Sequence, residues 1–189
     1  MAQQVKVYVS FGDVAAVAPM PILRQVEIDE IKNQELKKEK TNSWNLLCYA
    51  VADAFSTNPQ EVNFFKNEYG KWCAEKFFFS ISHSHGAVAV AVSDIPCGID
   101  IEQISHFSQK CQDVNFAKNL AKRINHTFTT DINLLKCWTE RESTYKINGN
   151  GTFIPSNTYK GVVKHTQIND YLVATACEQD FTPIYFVLK

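Results

Sequence analysis

Residues Gly98, Ile99, Asp100, Ile101 and Glu102 alternate apolar with acidic side chains. In a strand successive side chains point to opposite faces. The two isoleucines therefore enter a core, while Asp100 and Glu102 stand on the other face, roughly 7 Å apart along the strand. Neighbouring carboxylates repel unless a counter-charge lies between them. A hard divalent cation held through oxygens supplies one, and Mg²⁺ typically takes one or two carboxylates together with water and substrate phosphate. An edge strand with a solvated acidic face shows the same alternation, so the pentapeptide alone leaves both readings open.

The segments before it organise around this strand. Ala87 to Ser93 alternates Ala and Val, so both faces are apolar and the strand is expected at the centre of a sheet. Phe77 to Ser82 reads as its partner, joined through His83–Ser84–His85–Gly86, and Pro96 helps turn the chain into the acidic strand. This places the histidine loop and the acidic strand in neighbouring parts of one sheet. Small side chains beside a glycine let backbone N–H groups approach an anion, and a histidine can add charge, although a lone histidine also serves structural roles.

Towards the N-terminus, Val5 to Phe11 reads as a strand and Arg24 to Lys40 as a charged helix with five basic and five acidic residues. Lys37, Lys38 and Lys40 crowd one end of it, where a phosphate could be met. Thr41, Asn42 and Ser43 offer caps for a second helix from Trp44 to Phe55. Val62 to Phe65 reads as a short strand, and Glu68–Tyr69–Gly70–Lys71 as a turn holding a cation beside a glycine. Ser105 to Thr130 carries little pattern beyond a helix over Phe116 to Ile124.

A longer helix is expected from Thr130 or Asp131 to Ile147, ended by Asn148–Gly149–Asn150–Gly151. Leu134, Leu135, Trp138 and Tyr145 form its apolar stripe. At 100° per residue Glu142 falls on that stripe, with Lys146 one turn beyond. A carboxylate facing a core must be paired, protonated or bound to metal; a plain Glu142–Lys146 surface pair is the alternative. Thr158 to His165, Tyr171 to Cys177 and Ile184 to Leu188 read as three strands of a closing antiparallel sheet. The expected class is α/β of the α+β type, with antiparallel-rich sheets packed on helices.

Composition narrows the function. With 45% hydrophobic residues, 13 of them Phe, the chain can bury a core. A net charge of −1 provides no global field for nucleic acid or an anionic membrane. No apolar run approaches the ~20 residues that span a bilayer. The six cysteines form no CxxC, which disfavours zinc, and without a secretory leader they are expected as reduced thiols in a cytoplasmic protein.

Taken in order, Ser80–Ile81–Ser82–His83–Ser84, the 98–102 strand, Trp138–Thr139–Glu140–Arg141–Glu142, Lys146 and Gly149–Asn150–Gly151 resemble the 4′-phosphopantetheinyl transferases. Glu68–Tyr69–Gly70–Lys71 resembles an element of the larger, surfactin-synthetase-type class of that family. The resemblance implies a pseudo-twofold pair of α/β halves, 1–97 and 98–189, with the active site between them in a monomer. It implies coenzyme A as donor, a serine of an apo acyl or peptidyl carrier protein as acceptor, and adenosine 3′,5′-bisphosphate as by-product. By this likeness Asp100, Glu102 and Glu142 hold Mg²⁺, and Glu142 is proposed as base for the serine hydroxyl, with a metal-bound water as the alternative. Lys146 stands at the pyrophosphate; Lys71, Ser82 and His83 contact coenzyme A. Held near metal and lysine, Glu142 is expected to keep a low pKa.

The chain also departs from the family. An arginine near the start of the second helix is replaced around Asn42–Trp44, leaving a 3′-phosphate contact to Lys32 or Lys37. The usual arginine–aromatic run between Glu102 and Trp138 is missing, and Trp72 stands where proline commonly follows the glycine–lysine pair. A non-catalytic homologue binding coenzyme A or a carrier, and another Mg²⁺-dependent phosphoryl-transfer enzyme, stay open as alternatives.

Overall fold

The structure is a computed structural model, and it describes residues 3–127, 130–148 and 161–188. Its class is α/β. Strand β1 (Gln3–Ser10) lies in a sheet of order β4-β5-β1-β9, with β4 (Phe78–Ser84), β5 (Ala87–Ser93) and β9 (Phe181–Leu188). A second sheet has the order β6-β8-β7, from β6 (Cys97–Gln103), β8 (Tyr171–Cys177) and β7 (Val162–Ile168). A hairpin of β2 (Phe64–Lys66) and β3 (Trp72–Ala74) stands apart from both.

Both faces of the first sheet are apolar, as the Ala–Val alternation requires. One face presents Tyr8, Val88, Val90 and Phe79 to Trp44, Leu47 and Val51 of helix α2 (Gln34–Phe55). The other presents Val5, Val7, Val9 and the β5 alanines to Ile99, Ile101 and Val173 of the second sheet. Beyond that sheet, Leu134 and Leu135 of α5 (Asp131–Asn148) and Leu172 form a third core with Phe107 of α3 (Ile104–Cys111) and Leu120 of α4 (Val114–Arg123).

Several expectations are corrected. The histidine loop and the acidic strand belong to different sheets, because β6 pairs with β8 and never with β4 or β5. His83 and Ser84 are strand residues, leaving His85 and Gly86 as a two-residue turn at φ +47° and +81°. The last strand leaves the closing sheet: β9 runs parallel to β1, with Pro183 opposite Val5. A proline lacks the N–H a central strand needs, and an edge position tolerates it. The charged stretch is broken into α1 (Ile22–Asp29) and α2, because Asn33 caps α2 by accepting from the Leu36 N–H at 3.0 Å. Thr41, Asn42 and Ser43 are interior to α2, the Thr41 and Ser43 hydroxyls donating to the carbonyls of Lys37 and Glu39. Ser105 to Thr130 holds α3 and α4 where one helix was expected. Gly149–Asn150–Gly151 and residues 158–160 lie outside the described residues.

Candidate active site

Three serines and one glycine assemble the site. Strand β6 runs alongside β4 without backbone pairing, and alternate β4 serines bridge the two. Ser80 Oγ accepts from the Ile99 N–H at 3.1 Å, Ser82 Oγ donates to Asp100 Oδ1 at 2.9 Å, and Ser84 Oγ donates to Glu102 Oε2 at 2.8 Å. On the other side α5 rests directly on β6 at Gly98, where an added Cβ would lie 1.9 Å from the Ser143 carbonyl oxygen. The buried face of α5 uses Thr139, Ser143 and Thr144, whose hydroxyls donate to carbonyls three residues back. Small side chains that satisfy themselves within the helix permit the close approach.

That approach delivers Lys146 to β6. Its Nζ donates to Asp100 Oδ1 at 2.7 Å, to Ser82 Oγ at 3.0 Å and to the Ile99 carbonyl at 3.0 Å. Asp100 is only 4% exposed, so the acidic face is not a solvated edge. Glu102 Oε1 accepts from Trp138 Nε1 at 3.2 Å. Burial and the charge of Asp100 push the Glu102 and Glu142 carboxyls above their ordinary range, against the opposing pull of Lys146. The low pKa expected of Glu142 presumed a metal beside it; without one, burial and Asp100 outweigh the lysine one turn away. Among the described residues no group of three or more His, Cys, Asp or Glu side chains is arranged to hold a metal ion. Asp100 Oδ1 is engaged by Lys146, and Glu102 by Ser84 and Trp138. Even so, Asp100 Oδ2 is buried with no hydrogen-bond partner.

Beside this cluster opens a cavity of about 510 Å³. Lys146, Lys71, Lys40 and Arg24 line it, with Asp100 the one acidic side chain among the described lining residues. Ser82 and His83 also line it, and Trp72, Phe79 and Tyr145 add aromatic wall. Lys71 follows Gly70, whose φ of +79° closes the 67–71 turn. Its ammonium donates to the Lys146 carbonyl at 2.5 Å and the Ile147 carbonyl at 3.3 Å, capping the open C-terminal carbonyls of α5. His83 Nδ1 meets Glu39 Oε2 at 2.8 Å. Lys37 does not line the cavity; it pairs with Asp29 at 2.8 Å.

Of the basic cluster at Lys37, Lys38 and Lys40, only Lys40 is among the described residues lining the cavity, and Arg24, which the sequence did not single out, joins it. Arg24 lies 5.3 Å from the Trp44 ring centroid and contacts Glu27 at 3.3 Å, while its buried Nε has no hydrogen-bond partner. Burial, then the charges of Arg24 and Lys146, push the Lys40 ammonium down. Arg24 sat inside a stretch of balanced charge, and the break at Asn33 puts it on α1, separate from α2. Four cations and one carboxylate among the described lining residues suit a ligand carrying several negative charges.

No family profile matches the chain. Over 105 residues the chain is 35% identical to the 4′-phosphopantetheinyl transferase gsp of Aneurinibacillus migulanus, an alignment covering 53% of this chain. It spans less than half, 44%, of that relative's length.

Proposed function

We propose that the chain transfers the 4′-phosphopantetheine group of coenzyme A to a serine of an apo acyl or peptidyl carrier protein, with Mg²⁺, releasing adenosine 3′,5′-bisphosphate. The observation that carries this reading is the cavity in which Arg24, Lys40, Lys71 and Lys146 meet Asp100. The partial likeness to a phosphopantetheinyl transferase supports it. We read the chain as two halves, 1–97 and 98–189, acting as a monomer with the site between them.

A hard cation fits the acid set: Asp100 Oδ2 lacks a partner, and the Glu102 and Glu142 carboxyls are pushed up by burial and then by the charge of Asp100. Asp100, Glu102 and Glu142 would hold Mg²⁺, which supplies charge neutralisation on the diphosphate oxygens. Lys146 binds the diphosphate, and Ser82 and Asp100 keep its ammonium aimed there. Arg24 and Lys40 take the remaining negative charge at the other end of the cavity, the role expected of Lys32 or Lys37. Glu142 accepts the serine proton at its carboxylate. Incubation with coenzyme A, Mg²⁺ and several apo carriers, followed by mass spectrometry, should show the phosphopantetheine increment on one serine. Coenzyme A bound without transfer to any carrier would favour the non-catalytic reading.

A further inference from the structure

Glu39, on α2, has no role in the chemistry above, yet both of its carboxylate oxygens are committed. Oε2 meets His83 Nδ1 at 2.8 Å and Oε1 accepts from the Gly86 N–H at 2.8 Å. The second bond depends on the β4–β5 turn, where His85 and Gly86 both adopt positive φ. The Glu39 side chain is 12% exposed and that of His83 20%. A carboxylate facing Nδ1 fixes the proton on that nitrogen. Nε2 is then the atom at which the ring gains or loses its charge.

The charges facing His83 act in opposition. From α2 come Glu39 and Lys40, from α5 Lys146, and Asp100 of β6 lines the same cavity. The flanking β4 residues Ser82 and Ser84 are uncharged, and the turn contributes His85. In the ligand-free cavity, burial and the two lysines push the His83 imidazole below its ordinary pKa, while Glu39 pulls it up. A polyanion entering the cavity compensates the lysines and leaves Glu39 as the counter-ion of an imidazolium.

Resting on the coenzyme A reading above, we infer that Glu39 is a positioning residue that holds His83 by Nδ1 and lets the ring take up a proton as the diphosphate binds. Binding is then linked to proton uptake. Affinity is greatest on the acid side and falls as pH rises between the pKa values of free and bound His83.

The test is an NMR titration of the His83 ring, with calorimetry of coenzyme A binding in buffers of different ionisation heat. In the free chain His83 should titrate below 6.5, and Glu39→Gln should lower it by about one further unit. Glu39→Asp, which keeps the charge, should restore most of that unit and covers the case in which Glu39→Gln folds poorly. Coenzyme A should raise the His83 pKa, and the binding heat should depend on buffer, a dependence lost in His83→Gln. A His83 pKa unmoved by Glu39→Gln, or binding heat independent of buffer in the unaltered chain, overturns the inference and leaves the coenzyme A reading standing. If coenzyme A fails to bind while inorganic pyrophosphate still raises the His83 pKa, the coenzyme A reading falls and the positioning role holds.

Discussion

The two ends of the cavity are built on different principles. At the α5–β6 end, Lys146 has three acceptors within 3.0 Å, and Asp100 keeps only its Oδ2 unpartnered. At the α1–α2 end, Arg24 and Lys40 are half-buried cations with less compensation: Arg24 keeps an unpartnered Nε, and Lys40 is pushed down by its neighbours' charge. The first end is organised before any ligand arrives. The second holds positive charge at a cost in stability that a polyanion relieves.

Breaking the first end should do the most damage. Lys146→Ala removes the partner of a nearly buried Asp100, and kcat/KM for transfer should fall by roughly 10²–10³-fold. A loss below about tenfold in a steady-state transfer assay would show that the Lys146–Asp100 cluster is not where the chemistry lies. Next comes the seat of α5. Gly98→Ala forces a Cβ against the Ser143 carbonyl and should cost about 2–3 kcal/mol in denaturant unfolding. Gly12, with nothing within 4 Å of an added Cβ, is the control and should tolerate Ala with little change.

The second end separates affinity from stability. Arg24→Ala or Lys40→Ala should each weaken coenzyme A binding by about tenfold, the value of one charge-assisted contact. Lys40→Met should at the same time leave the unfolding midpoint unchanged or raised, because it removes a desolvated cation. A fall in both would mean that Lys40 stabilises the fold. The smallest effect concerns pH. The unfolded Glu142 carboxyl titrates near 4.5 and the folded one higher, so the folded chain binds more protons between those values. The resulting stability is present in full below 4.5 and lost as pH rises through the folded pKa. Glu142→Gln should flatten that fall in metal-free unfolding curves recorded from pH 4 to 8, and Mg²⁺ should shift it towards lower pH.

Local pattern carried much of the molecule. The bounds of β5 were read to the residue, and Ile99 and Ile101 sit in the core at 0% exposure as their alternation required. Ser82, His83, Asp100 and Lys146 do line one cavity. The errors share a cause, which is that the deciding groups were small or balanced. On α5 Thr139 and Ser143 are buried alongside the expected Leu134 and Leu135, and Asn33, a single capping residue, divides a helix that charge counting ran together. No described membrane-length apolar helix exists either.

By itself the sequence determined which residues could do chemistry and on which strand or helix each would sit, because side-chain period and turn chemistry are local properties of the chain. Tertiary structure decided who meets whom. It set β6 beside β4 through three serines instead of a shared sheet, sent β9 to β1, turned Arg24 into the cavity and placed Lys146 against Asp100. Those outcomes depend on long-range packing, and for Lys146 on the missing Cβ at Gly98; a one-dimensional pattern does not encode which distant backbone will fill that gap.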